Sequence, residues 1–182
     1  MIDSYDAPVA PQSDERLLAQ ARAGDLDAFA ELVRRYERRV RSVLVRLLDD
    51  ERDVEEAAQD VFVNAWRSLA RYRGDAAFFT WLYRIAVNEA LMRRRRRRVA
   101  SVELDETVVG AAEPDVDEGW LLGRIRALPD ELRLPLVLRD LEGLSNQEVA
   151  DVLDLSLAAT KSRVHRARMQ IRAELEARDA SE

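Results

Sequence analysis

Three clusters in this 182-residue chain carry side chains suited to binding rather than to reaction. The first is Tyr72-Arg73-Gly74-Asp75-Ala76-Ala77-Phe78-Phe79-Thr80-Trp81-Leu82-Tyr83-Arg84, with Asn88 one helical turn further on. Aromatic faces and guanidinium planes stack on unpaired bases while Arg neutralises phosphate, so this cluster suits a single strand. Phe79, Trp81 and Tyr83 equally suit a core, and the i, i+4 spacing of Trp81 and Ile85 predicts that those two are inside. The second cluster lies in residues 156–172, where Leu157, Thr160, Val164, Ala167 and Ile171 form one helical stripe. Lys161, His165, Arg168 and Arg172 share a flank of that helix, and Ser162, Arg166 and Met169 point away from the stripe. A basic helix face without acids suits either the major groove, where Arg and Lys reach guanine acceptors and phosphates, or plain solvent. The third cluster, residues 49–60, holds seven acids and one Arg on a helical repeat, a surface that would attract a basic partner and repel DNA.

Reaction chemistry has little to stand on. There is no Cys and the single His is His165, so neither a thiol nucleophile nor a Cys/His zinc site is available. The acid pairs Asp49-Asp50 and Glu55-Glu56 are adjacent, and neighbours on a helix face different ways, so they do not converge on one substrate. No enzyme activity, cofactor or metal is expected. The net charge of −6 argues against a free-standing, non-specific nucleic-acid binder. That average hides segregation: residues 71–98 hold nine Arg against Asp75 and Glu89, whereas residues 99–118 hold seven acids and no base.

Helices must position these clusters. Only five Pro and six Gly interrupt the chain, which favours an all-α fold. A short helix near residues 17–23 precedes a turn and cap at Gly24-Asp25. Leu32, Val33, Tyr36, Val40, Val43, Leu44 and Leu47 then mark a long helix, and Val54, Ala57, Ala58, Val61, Phe62, Ala65, Trp66 and Leu69 a second. A third runs from about Phe78 into the Arg93 to Arg98 run. After the acidic stretch, Trp120, Leu121, Ile125 and Leu128 mark one helix, and residues 132–141 another, with a kink or late start expected at Pro135. Residues 145–153 and a helix from Ser156 follow, in the short-helix, tight-turn, basic-helix order of a helix-turn-helix. The predicted organisation is a tail (1–15), a helical bundle (16–98), a flexible acidic linker (99–118) and a helix-turn-helix domain (119–177). The tail lacks a basic and apolar leader and no segment reaches about 18 apolar residues, so a cytoplasmic protein without membrane insertion is expected.

Leu128-Pro129, Leu136 to Arg139, Glu142-Gly143-Leu144-Ser145, Glu148-Val149-Ala150 and Lys161-Ser162-Arg163-Val164-His165-Arg166-Ala167-Arg168 resemble region 4 of the sigma-70 family. Asp53-Val54-Glu55-Glu56-Ala57-Ala58-Gln59-Asp60-Val61-Phe62 with Trp66 is similar to its region 2.2, and residues 72–88 to regions 2.3 and 2.4 of the sigma-E-like, extracytoplasmic-function group. Departures fall at Asp154, where Gly is usual in the turn, at Ala158-Ala159, where Gly-Thr is usual, and at Leu91-Met92, where relatives are more polar. Asp tolerates left-handed geometry, so the turn is expected to survive, with a capping hydroxyl lost.

The resemblance implies a subunit that gives RNA polymerase its promoter specificity. It implies that Asp53, Glu56, Gln59, Asp60 and Asn64 bind core polymerase through its β′ and β subunits. It further implies that Tyr72, Arg73, Phe78, Phe79, Trp81, Arg84, Asn88, Arg93 and Arg94 serve the melted minus-10 element, a flipped base being captured by the loop and Asn88. The Arg93 to Arg98 run would track phosphates, or else be a solvated tail. Arg139, Ser145, Lys161, Ser162, Arg163, His165, Arg166 and Arg168 would serve the minus-35 duplex, and an anti-sigma factor would hold the protein in check. The twenty linker residues reach at most about 70 Å, enough to pass one to two turns of DNA. The alternative is a helix-turn-helix regulator outside polymerase, disfavoured by an acidic helix followed by an aromatic-Arg loop where a regulator would carry a ligand pocket or dimer helix.

Overall fold

The computed structural model describes residues 12–103 and 116–180. Eight α-helices account for the regular structure of these residues, which contain no strand. The elements are α1 (Asp14–Arg22), α2 (Leu26–Leu47), α3 (Glu51–Ser68), α4 (Phe78–Glu103), α5 (Val116–Ala127), α6 (Asp130–Leu136), α7 (Asn146–Leu153) and α8 (Leu157–Asp179). A 3-10 turn, Leu69–Arg71, follows α3, and a π turn, Val137–Leu141, follows α6.

Local chemistry starts the helices where the sequence predicts. Asp25 accepts from the backbone N–H groups of Asp27 and Ala28, and Asp50 from that of Arg52, each satisfying donors that the first turn leaves free. Glu51 and Asp53 in the first turn of α3 further complement its dipole. Ser145 and Glu148 cap α7 reciprocally. Asp154 ends α7 in the left-handed region, at φ 53° and ψ 49°, so the turn does survive without Gly. The expected loss of a capping hydroxyl is corrected: Ser156 itself caps α8, its Oγ accepting from the Ala159 N–H at 3.1 Å.

Helices α1 to α4 form one bundle around Leu32, Val40, Leu44, Val61, Leu82 and Ala86, all essentially inaccessible to water. Helices α5 to α8 form a second group around Leu138, Leu144, Val149 and Ala167. Three details differ from expectation. Pro135 lies within α6 rather than starting it. The π turn follows directly, with the Glu142 N–H reaching back to the Val137 carbonyl at 3.0 Å, while the bond that Pro135 cannot make is the earlier one to the Glu131 carbonyl. Trp81 and Ile85 are only half-buried while Tyr83 is fully buried, because Arg39 of α2 lies over its ring and Glu142, beyond the π turn, accepts from its hydroxyl. Leu157, expected on the inward stripe, is 39 % exposed at the first turn of α8, before the helix reaches its packing partners. Residues 99–103 continue α4 and 116–118 open α5, while the rest of the predicted linker, and most of the predicted tail, lie outside the described residues.

The two groups pack together. Helix α4 lies against α7, and α2 against α5 and the π turn, so the buried apolar side chains form one continuous cluster.

Candidate nucleic-acid interface

Tyr72 and Phe78 flank the loop that leads into α4, and both are buried. Phe78 packs against Tyr36, Tyr72 and Trp81 with centroids 5.4 to 5.9 Å apart, and the Tyr72 hydroxyl donates to the Ala76 carbonyl at 2.6 Å, closing the loop on itself. Burial raises the Tyr72 phenol above its ordinary range. Gly74 sits at the loop tip with φ 82°, a conformation open to Gly at little cost. A cleft of about 270 Å3 opens beside this loop, lined by Arg71, Arg73, Asp75, Trp81 and Arg84 among others. Thr80 also borders it, with a hydroxyl that is buried and has no hydrogen-bond partner. Arg73, Arg84 and Asn88 are exposed, and Phe79 and Trp81 half-buried.

The Arg run divides by helical phase. Arg93 faces α3, donating from Nε to Glu89 at 2.9 Å and from its terminal nitrogens to Glu56, at 3.0 Å, and Asp60, with Asp53 at 3.8 Å. Burial works against its charge, yet the hydrogen bonds that it donates to Glu56, Glu89 and Asp60 outweigh it and raise its pKa further. Arg97 pairs with Asp50 and Asp53, and holds the Asp50 carboxyl below its usual range together with the Arg52 N–H. Arg94 turns to Asp130 of α6, while Arg95 and Arg96 are exposed. The acidic face of α3 is therefore partly engaged by α4: Asp53, Glu56 and Asp60 meet Arg93, whereas Gln59 and Asn64 remain exposed.

On α8, Thr160, Val164, Ala167 and Ile171 are buried, which turns Lys161, Ser162, His165 and Arg166 outward into solvent. Arg163 is half-buried and Arg168 makes a two-pronged bond to Asp140, 2.8 Å from Nε. Ser145 remains exposed while capping α7, and Arg139 is half-buried on the π turn. Sequence reasoning assigned no role to Glu142, Arg39 or Arg133. Glu142 accepts from three side chains of the first bundle, Arg39 lies over the Phe79 and Tyr83 rings at 5.2 and 5.7 Å, and Arg133 is wholly buried against Asp130 and the Arg126 carbonyl. The partners of Glu142 and Arg39 are remote in sequence, so no local spacing could reveal them, whereas Arg133 sits three residues from Asp130, and that i, i+3 spacing is a local signal that could have revealed it. Among the described residues no cluster of His, Cys, Asp or Glu could hold a metal ion, and no helix is long and apolar enough to cross a membrane.

A helical bundle with an aromatic-Arg loop, followed by a helix-turn-helix with an outward basic face, defines a two-part transcription protein. The family comparisons agree: the model for Sigma-70 region 2 matches residues 32–99 and that for Sigma-70, region 4 matches residues 118–171. The RNA polymerase sigma-H factor of Pseudomonas aeruginosa is 35 % identical over 178 residues, covering 88 % of this chain and 92 % of the relative. The ECF RNA polymerase sigma-E factor of Escherichia coli K12 is 36 % identical over 177 residues, covering 87 % and 92 %. Among solved structures, CnrH in complex with the cytosolic domain of CnrY aligns with a TM-score of 0.73 at 32 % identity, covering 91 % of this chain and 99 % of that one. RpoE of Bartonella quintana, solved with the anti-sigma factor NepR, shares the fold with a TM-score of 0.74 at 21 % identity, covering 83 % and 98 %. The chain belongs to the sigma-70 family, and within it to the sigma-E-like, extracytoplasmic-function RNA polymerase sigma factors.

Proposed function

We infer that this chain is an alternative sigma factor that binds core RNA polymerase, recognises minus-10 and minus-35 elements and promotes promoter melting, under the control of an anti-sigma factor. The observation that carries the reading is the presence, on one chain and in family order, of both matched regions, each presenting exposed cationic and amide side chains on a helix. Catalysis of RNA synthesis would reside in polymerase, and the chain itself would turn over no substrate, working in the cytoplasm beside the chromosome.

Within that reading, residues 16–98 hold polymerase and the melted minus-10 strand. Gln59 and Asn64, with the carboxylates of Asp53, Glu56 and Asp60, present the docking face of α3 to the β′ and β subunits. Arg73, Arg84 and Asn88 would meet bases and phosphates of a single strand, Arg84 after leaving the Asp151 carbonyl, with Phe79 and Trp81 offering ring surface; the exposure of the three polar side chains supports this role. Tyr72 and Phe78 act from the core by fixing the loop, and Arg93 by ordering the acids of α3; Arg94 joins the phosphate contacts once released from Asp130. Residues 119–177 read minus-35 duplex, with Lys161, Ser162, His165 and Arg166 towards base edges and Arg139, Ser145, Arg163 and Arg168 towards the backbone. CnrH and RpoE were each solved with a bound partner, NepR being named an anti-sigma factor, which supports the same kind of control here.

Run-off transcription with purified core polymerase on a pool of promoter fragments tests this. Selective initiation only when the chain is added is expected. DNA binding without core-dependent initiation would overturn the reading in favour of a helix-turn-helix regulator.

A further inference from the structure

We propose that the first bundle carries a docking surface for this chain's own second domain, with Glu142 as the latch, and that in the latched form the two DNA-reading helices cannot engage both promoter elements at once. The consequence for promoters rests on the sigma-factor reading; the latch itself rests on geometry alone.

Glu142 stands at the end of the π turn, where Gly143, at φ 75°, reverses the chain. Its side chain is only 6 % exposed, and the cation paired with it, Arg46, belongs to the first bundle. The donors come from the other bundle: the Tyr83 hydroxyl at 2.9 Å to Oε2, and the Ser42 hydroxyl at 3.1 Å and Arg46 Nη1 at 3.2 Å to Oε1. Three donors from α2 and α4 thus converge on one carboxylate, and Arg46 is itself steadied by the Ser42 carbonyl at 2.8 Å. A buried carboxylate is tolerated only when its lone pairs are satisfied. Here that satisfaction exists only while the domains are docked.

Other polar contacts join the two domains, two of them with the latch's polarity, Arg84 and Arg94 of the first bundle donating to the second, and one, from Arg126, reversed. Arg126 donates to the Val45 carbonyl at 2.7 Å, Arg94 pairs with Asp130, and Arg84 donates to the Asp151 carbonyl. Two of these, Arg84 and Arg94, are cations that the functional reading assigns to the minus-10 strand. Arg84 and Asn88 of α4 share a single cleft of about 390 Å3 with Arg163 of α8. Promoter elements separated by one to two helical turns, at about 34 Å per turn, cannot both reach helices that line one such cleft. Docking and two-site promoter binding are therefore mutually exclusive.

The chain contains no Cys, so dyes can be placed on an introduced E37C and L175C pair, both exposed positions away from the docking surface. Single-molecule energy transfer in the full-length chain is expected to show a predominant short-distance population. Glu142→Ala should shift the short-to-long ratio by about tenfold to a hundredfold, the range set by loss of hydrogen bonds to a buried charged group, and Tyr83→Phe by roughly tenfold from the opposite side. Adding Tyr83→Phe to Glu142→Ala should shift it no further. Tyr83→Phe keeps the ring in the core and so decides the matter even if Glu142→Ala loses helix content. A wild-type chain already extended, or a ratio indifferent to both variants, would overturn the latch. The distance measurement needs no polymerase, so failure of wild-type run-off transcription would count against the functional reading and leave the latch to be decided separately.

Discussion

Arg93 reaches back one helical turn to Glu89 at 2.9 Å, and this pairing aims its two terminal nitrogens at the acidic face of α3. Glu89 is 5 % exposed, so its carboxylate depends on Arg93 for compensation. Removing Arg93 would leave a buried, unpaired charge, a change that costs on the order of 3 kcal/mol. Arg93→Gln should therefore lower the urea midpoint markedly, while the double variant Arg93→Gln, Glu89→Gln should recover a good part of the loss. Equal losses in single and double variants would show that Arg93 is not ordering α3 through Glu89.

Asp154 supplies a second expectation. A residue other than Gly in the left-handed region costs roughly 1–2 kcal/mol, less for Asp, whose short polar side chain bonds locally. At this turn Asp154→Gly should be neutral or slightly stabilising, Asp154→Ala destabilising by about 1 kcal/mol, and Asp154→Val by more. Denaturant unfolding of the three variants would read the order directly, and a stabilising Val would contradict the backbone assignment.

The turn illustrates what was legible in the sequence and what was not. Helix starts at Asp25 and Ser145 could be read because capping is local: the oxygen and the amides it satisfies lie within three residues, and the cap at Asp50 carried the same local signal although the apolar stripe marks that helix only from Val54. The buried stripes of α2 and α3 could be read from their 3.6-residue period, and the family from motif spacing. The phase of α4 was harder. A helix packed on two sides carries no single apolar stripe, so Trp81 and Ile85 competed with Tyr83 for the inside, and Arg39 of α2 and Glu142 beyond the π turn enclose Tyr83. The division of the Arg run among Glu89, Asp50 and Asp130 was likewise hidden, since two of those partners lie on other helices. Docking of the two groups of helices through Glu142 depends on donors 59 to 100 residues away, beyond the reach of any local pattern.

Arg166 and Arg168 differ in their partners although both belong to the basic cluster. Arg168 is held by Asp140, whereas Arg166 projects into solvent from the outward face of α8. Arg166→Ala should leave thermal stability nearly unchanged and weaken binding of polymerase complexes to their preferred minus-35 sequence. If Arg166 touches a base edge, the loss should be about 1–3 kcal/mol and confined to one base position; if it touches phosphate, it should be uniform across sequences and reduce the salt slope by about one. Affinity that changes in neither way would remove Arg166 from the DNA-reading surface.

The Tyr36 phenol offers a pH test of the joint between α1 and α2. Burial pushes its pKa up to about 12, helped by the hydrogen bond that its hydroxyl donates to Asp14, while Arg39 and Arg35 pull slightly the other way. A raised folded-state pKa favours the neutral phenol, so the stabilisation is fully present below the ordinary value of about 10 and is lost as pH rises towards 12. Phenolate absorbance should therefore show a late-titrating component that Tyr36→Phe deletes. Unfolding midpoints of the wild type should fall between pH 10 and 12 more steeply than those of Tyr36→Phe, which cannot ionise there. Parallel curves for the two proteins would mean that the α1–α2 joint does not depend on that proton. Asp14→Asn should separate the two causes, since it removes the neighbouring charge while leaving the burial of the ring, and the late component should then move down only part of the way.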